Sequence, residues 1–137
     1  MDDTNQTPKR ILIVEDDQFI RELYNEILQA EGYSTALAVD GEEGLAKVMM
    51  GGWDLILLDV MLPKKDGLQI LRDSKASPPK APNGPIVVLT NLGSEDVIKQ
   101  AFALGAAGYL IKSSMNPDQV LLEVKNFLSG QPTPQTN

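Results

Sequence analysis

The chain has 137 residues, enough for one hydrophobic core of ordinary size and too few for two substantial ones. Its 12 basic and 19 acidic residues leave a net charge of -7, which argues against binding nucleic acid or anionic lipid through overall charge. There is no cysteine and no histidine, so disulfides, thiolate or imidazole metal ligands and an imidazole base are excluded, and any metal must sit on oxygen.

The first ten residues are polar and lack the apolar run of a signal peptide, and no later stretch is apolar and long enough to span a bilayer. A soluble, cytoplasmic protein is expected, with no membrane partner and with residues 1–8 as a disordered extension. Ile11-Leu12-Ile13-Val14 is a short, wholly apolar run of the kind buried on both faces of a sheet, and it stops abruptly at Glu15-Asp16-Asp17. Ile20, Leu23, Tyr24, Ile27 and Leu28 then recur at helical spacing, Asp17 is placed to cap that helix, and Gly32 closes it. The unit repeats: residues 34–39 form a weak strand, residues 41–50 a helix ended by Gly51-Gly52, and Leu55-Ile56-Leu57-Leu58 a strand that ends on Asp59.

After Pro63, the positions of Leu68, Ile70 and Leu71 predict a short third helix, and the proline-broken stretch 77–85 predicts a surface loop. Ile86-Val87-Val88-Leu89 is the fourth strand and ends on Thr90; Val97, Ala101 and Leu104 define the buried stripe of a fourth helix. Ile98 lies off that stripe as a widening of the buried face, whereas Phe102 fits either that role or an exposed contact. Gly108-Tyr109-Leu110-Ile111 is the fifth strand and ends on Lys112. Asn116-Pro117 starts a last helix whose apolar face is Val120, Leu121, Val124, Phe127 and Leu128. Residues 130–137 read as a tail or linker.

Alternating strands and helices imply an α/β fold, a five-stranded parallel sheet doubly wound as (βα)5. Ligands of such sheets bind outside the carboxyl ends of the strands. Those ends carry Glu15 and Asp16, Asp59, Thr90 and Lys112. Clustered carboxylates need a proton or a cation, and Mg²⁺, with Mn²⁺ as a substitute, is the hard ion suited to an all-oxygen site. A hydroxyl and an ammonium beside them suit phosphoryl oxygens.

Ile11-Leu12-Ile13-Val14-Glu15-Asp16, Asp54-Leu55-Ile56-Leu57-Leu58-Asp59 with Pro63 and Asp66-Gly67, Val88-Leu89-Thr90 and Gly108-Tyr109-Leu110-Ile111-Lys112 together resemble the receiver domains of bacterial two-component systems, over residues 9–129. The resemblance implies the flavodoxin-like strand order 2-1-3-4-5. It implies that Asp59 is the phosphoacceptor, that Asp16 and Asp59 hold the Mg²⁺ with the Met61 carbonyl and with Glu15 directly or through water, and that Lys112 and Thr90 contact the phosphoryl group. Tyr109 would change rotamer as Thr90 moves. The expected partners are a sensor histidine kinase or histidine phosphotransfer protein and a downstream protein, with no direct nucleic-acid binding. Such a chain is a switch rather than an enzyme, catalysing only its own phosphorylation and dephosphorylation.

Asn91 and Ser113 depart from the small residue and the proline usual in that family, and the loop before the fourth strand is longer and richer in proline. A flavodoxin-like cofactor binder would need a Gly, Ser and Thr-rich loop where this chain has Glu15-Asp16-Asp17. A haloacid-dehalogenase-like phosphatase would need Asp-x-Asp-x-Thr where this chain reads Asp59-Val60-Met61-Leu62-Pro63. The remaining alternative is a module of the same fold that signals without phosphorylation.

Overall fold

Strands and helices alternate through the whole computed structural model, which describes residues 7–91, 95–112 and 115–130. Most of the expected N-terminal extension, Ser113 and the tail beyond Gly130 lie outside the described residues. The elements are β1 (Arg10–Val14), α1 (Gln18–Ala30), β2 (Ser34–Ala38), α2 (Gly41–Met50), β3 (Leu55–Asp59), α3 (Gly67–Ala76), β4 (Ile86–Thr90), α4 (Glu95–Ala103), β5 (Gly108–Ile111) and α5 (Pro117–Leu128). All pairings are parallel and the order is β2-β1-β3-β4-β5, as expected.

The aliphatic runs of β1 and β3, and Val87, Val88 and Leu89 of β4, are fully buried because both faces of the sheet are covered. Ile11, Ile13, Leu55, Leu57, Val87 and Leu89 share a core with Tyr24 and Leu28 of α1 and Val120, Val124 and Phe127 of α5. Leu12, Val14, Ile56, Leu58 and Val88 pack on the opposite face with Val48 of α2, Ile70 and Leu71 of α3 and Ala101 of α4. Each such side chain contributes about 1.5–3 kcal/mol when removed from water, so β1, β3 and β4 anchor the fold. The edge strand β2 is only half-buried, in keeping with its weak sequence signal.

A parallel crossover brings every helix in at the carboxyl edge of the sheet, and the caps therefore gather there. Asp17, Asp40 and Asp66 accept hydrogen bonds from the backbone N–H groups of Ile20, Glu43 and Gln69. Asn116 forms a reciprocal capping box with Gln119, and Pro117 occupies the first turn.

The proline-rich loop packs at the opposite edge of the sheet. Asn83 joins it to the core, accepting from the Trp53 N–H at 3.1 Å and donating to the Val48 carbonyl at 3.0 Å. Gly51 and Gly84 permit this approach, since a Cβ on either would fall 2.1 Å from the Ala81 or Asp54 carbonyl oxygen. Ile98 is half-buried, whereas Phe102 is 44% exposed and sets its ring edge-to-face against Tyr109, with centroids 6.3 Å apart.

Candidate functional site

The abrupt end of each aliphatic strand leaves a polar residue at the sheet edge, and the strand order brings these residues together. Glu15 follows β1 and is fully buried; its backbone N–H donates to the Ala38 carbonyl at 3.1 Å, and its Oε2 accepts from the Asp17 N–H at 3.1 Å. Asp59 is the last residue of the central strand and is 1% exposed, with Oδ1 accepting from the Met61 N–H at 3.1 Å. Asp16, between the two acidic neighbours of α1's start, is exposed. Glu15, Asp16 and Asp59 each present a carboxylate oxygen within 4.8 Å of the others.

Lys112, reaching in from just beyond β5, is the counter-charge. Its Nζ lies 3.1 Å from Asp59 Oδ2 and 3.2 Å from Glu15 Oε1. Burial opposes its charge, but the carboxylates of Asp59 and Glu15 outweigh burial and raise the ammonium's pKa. Glu15 responds in the complementary direction. Burial first, and the adjacent Asp59 charge second, push its pKa up to about 7 from 4.5. One ammonium thus faces three carboxylates, a deficit that a divalent cation would fill. The donor set is entirely oxygen, so the residues fit a hard ion such as Mg²⁺.

These groups line an open cavity of about 370 Å³ with Met61 and Asn91 on its wall and Asp17 and Ile20 on the α1 side. Thr90 is buried at the end of β4 and does not line this cavity; its hydroxyl donates to the Asn91 carbonyl at 3.3 Å. Tyr109 is half-buried against the core below α4. The structure therefore unites Glu15, Asp16, Asp59, Met61 and Lys112 at one cavity, and sets Thr90 and Tyr109 outside its lining.

Sequence reasoning missed Arg21. Its guanidinium donates to the carbonyls of Glu15 and Asp16 at 2.9 and 3.2 Å, fixing the acidic turn through its backbone. The available signal was a cation one helical turn beyond an acidic run. Phe19, 74% exposed on the first turn of α1, was also not singled out.

A doubly wound α/β sheet with a carboxylate cluster at its carboxyl edge is the class that fold and site define. Comparison with known proteins narrows it: the chain belongs to the response regulator receiver domains, matching that family over residues 11–125. It is 38% identical over 131 residues to the transcriptional regulatory protein ResD of Bacillus subtilis (strain 168), covering 93% of this chain and 50% of that protein. It is 37% identical over 115 residues to the chemotaxis protein CheY of Treponema pallidum (strain Nichols), covering 79% of this chain and 75% of the relative. The chain thus spans about half the length of the first relative and three quarters of the second. A crystal structure of a CheY-like receiver domain protein from Methanospirillum hungatei JF-1 superposes with a TM-score of 0.80 at 32% identity, over 91% of this chain and 97% of the other.

Receiver domains are phosphorylation switches of two-component systems, phosphorylated by histidine kinases and generally binding Mg²⁺ at an acidic pocket. No helix among the described residues is long and apolar enough to cross a membrane.

Proposed function

We propose that this chain is a cytoplasmic phosphorelay switch whose phosphoacceptor is Asp59. The observation that carries the reading is the Asp59 carboxylate itself: buried at the end of the central strand, it faces an open cavity with Lys112 on one oxygen and the Met61 N–H on the other. An oxygen of Asp59 attacks the phosphorus of a phosphohistidine on a sensor kinase or phosphotransfer protein. A P–O bond forms as the P–N bond breaks, and water later hydrolyses the acyl phosphate.

Asp16, Asp59, Glu15 and the Met61 carbonyl would hold a Mg²⁺ or Mn²⁺ ion, which supplies positive charge to the phosphoryl oxygens. Lys112 exchanges part of its contact with Asp59 for the incoming phosphoryl group, and the Thr90 hydroxyl turns from the Asn91 carbonyl to donate to it. Asp59, Lys112 and Thr90 are the catalytic residues, and the chemistry is confined to phosphorylation and dephosphorylation of the chain itself. The receiver unit is residues 9–129, with residues 1–8 as an extension and 130–137 as tail or linker; its output is contact with a downstream protein, without direct binding of nucleic acid or membrane by this chain.

Intact mass before and after acetyl phosphate with Mg²⁺ tests the reading on wild type and Asp59→Asn. The expected result is one labile phosphoryl group in wild type and none in the variant. A labile adduct of undiminished yield in Asp59→Asn would refute it.

A further inference from the structure

The phosphoryl-transfer reading uses the backbone of Met61 and leaves its thioether without a role. That residue is 72% exposed, although it is an apolar side chain whose burial would be favourable. It lines the acidic cavity and also an adjoining one shared with Asp16 and Asp66. Its N–H is tied to Asp59 Oδ1 at 3.1 Å, so the exposed sulfur is carried on backbone fixed to the reacting carboxylate. The other described methionines differ. Met49 is half-buried and Met115 packs on the core, while Met50 is 66% exposed but ends α2, at the edge of the sheet away from the acidic cavity.

We propose that Met61 is a reversible oxidation site that sets the lifetime of phosphorylated Asp59; the inference rests on the reading of Asp59 as phosphoacceptor. The oxidant is a hydroperoxide. The sulfur lone pair takes one peroxide oxygen, the O–O bond breaks, and water or an alcohol leaves, so that sulfur is oxidised and peroxide reduced. A thioether is a weak hydrogen-bond acceptor that keeps the cavity wall apolar. The sulfoxide places a polar oxygen on the same wall, where it holds water beside the acyl phosphate and favours hydrolysis. Sulfoxide reductases return the thioether, which makes the mark reversible.

The experiment uses the full chain as wild type, Met61→Leu and Met50→Leu. Each is phosphorylated with acetyl phosphate and Mg²⁺, and decay of the acyl phosphate is followed by intact mass with and without prior hydrogen peroxide. Peptide mapping gives oxygen occupancy at each methionine, and each protein is compared only with its own unoxidised form. Wild type and Met50→Leu should decay several-fold faster after oxidation, Met61→Leu should not change, and methionine sulfoxide reductase should restore the slower decay.

An unchanged decay with Met61 fully oxidised overturns the proposal. So does equal acceleration in Met61→Leu, oxidation of Met50 that leaves Met61 reduced, or acceleration accompanied by loss of the cooperative thermal melt. Absence of phosphorylation in unoxidised wild type is read first, and it removes the Asp59 reading together with this one. Normal phosphorylation with oxidation-insensitive decay removes this one alone.

Discussion

Glu15→Gln isolates the electrostatic cost of the site. Glu15 is fully buried beside Asp59, and its pKa stands at about 7 against the usual 4.5 because burial and the Asp59 charge disfavour its ionised form. Between those values the folded chain holds a proton that the unfolded chain has released, so this group's contribution to stability falls as pH rises. It is present in full below about 4.5 and lost above about 7. At about 1.4 kcal/mol per pKa unit the loss is bounded near 3 kcal/mol, and solvent screening from the open cavity reduces it to about 2 kcal/mol. Urea unfolding with chelator present, between pH 5 and 8, measures it. Wild type should lose about 2 kcal/mol more than Glu15→Gln across that range, because the remaining groups titrate in both proteins. Parallel stability profiles would show that Glu15 is not the strained carboxylate and refute the reasoning.

The same imbalance predicts stabilisation by Mg²⁺, about 1.4 kcal/mol at ten times its dissociation constant, read as a rise in thermal midpoint that Asp16→Ala blunts. An equal rise in that variant would place the ion elsewhere. Lys64 is the non-glycine residue with positive φ, 72°, among the described residues, and the left-handed conformation costs about 1 kcal/mol. Its ion pairs with Asp40 and Glu42, at 3.4 and 3.9 Å, involve a lysine that is 57% exposed and contribute less than that. Lys64→Gly should therefore stabilise the fold slightly, by about 0.5 kcal/mol, read as a raised denaturation midpoint; a lowered midpoint would mean that the ion pairs outweigh the backbone.

The architecture and the site were legible for the same reason. Where a run such as Leu55-Ile56-Leu57-Leu58 stops on Asp59, burial changes to chemistry within one residue, and a parallel sheet puts all such stops on one edge. Long-range pairing was not legible. That Lys112 bridges Glu15 and Asp59 depends on strand ends separated by 97 and 53 positions, and the spacing alone allows a solvated lysine. The loop 77–85 was legible as an irregular surface loop, and much of it is exposed, but not its anchorage. It is tied to the core by Asn83 meeting Trp53 and Val48 and by backbone clearance at Gly51 and Gly84, which proline content does not encode. Asp17 was correctly read as a cap, yet it also lines the cavity; a polar residue at a strand-to-helix junction can serve both ends of the fold.

A switch must transmit its state beyond the cavity, and sheet register supplies a route. Tyr109 of β5 pairs with Val88 of β4, and Thr90 lies two residues further along β4, so Thr90 and Tyr109 project from the same face. Among the described residues the Thr90 hydroxyl donates a 3.3 Å bond to its neighbour's carbonyl, a bond that a phosphoryl oxygen can replace. Moving that side chain toward the cavity opens space beside the half-buried Tyr109, whose ring is braced by the exposed Phe102 of α4. Inward rotation of Tyr109 would then break the edge-to-face contact and alter the surface between α4 and α5. With a beryllofluoride phosphoryl mimic, the largest amide and aromatic shifts outside the cavity should therefore fall in residues 91–115. They should shrink in Thr90→Ala and lose the aromatic component in Tyr109→Ala. Shifts of full size in Thr90→Ala would disconnect Thr90 from the readout while leaving phosphorylation of Asp59 intact.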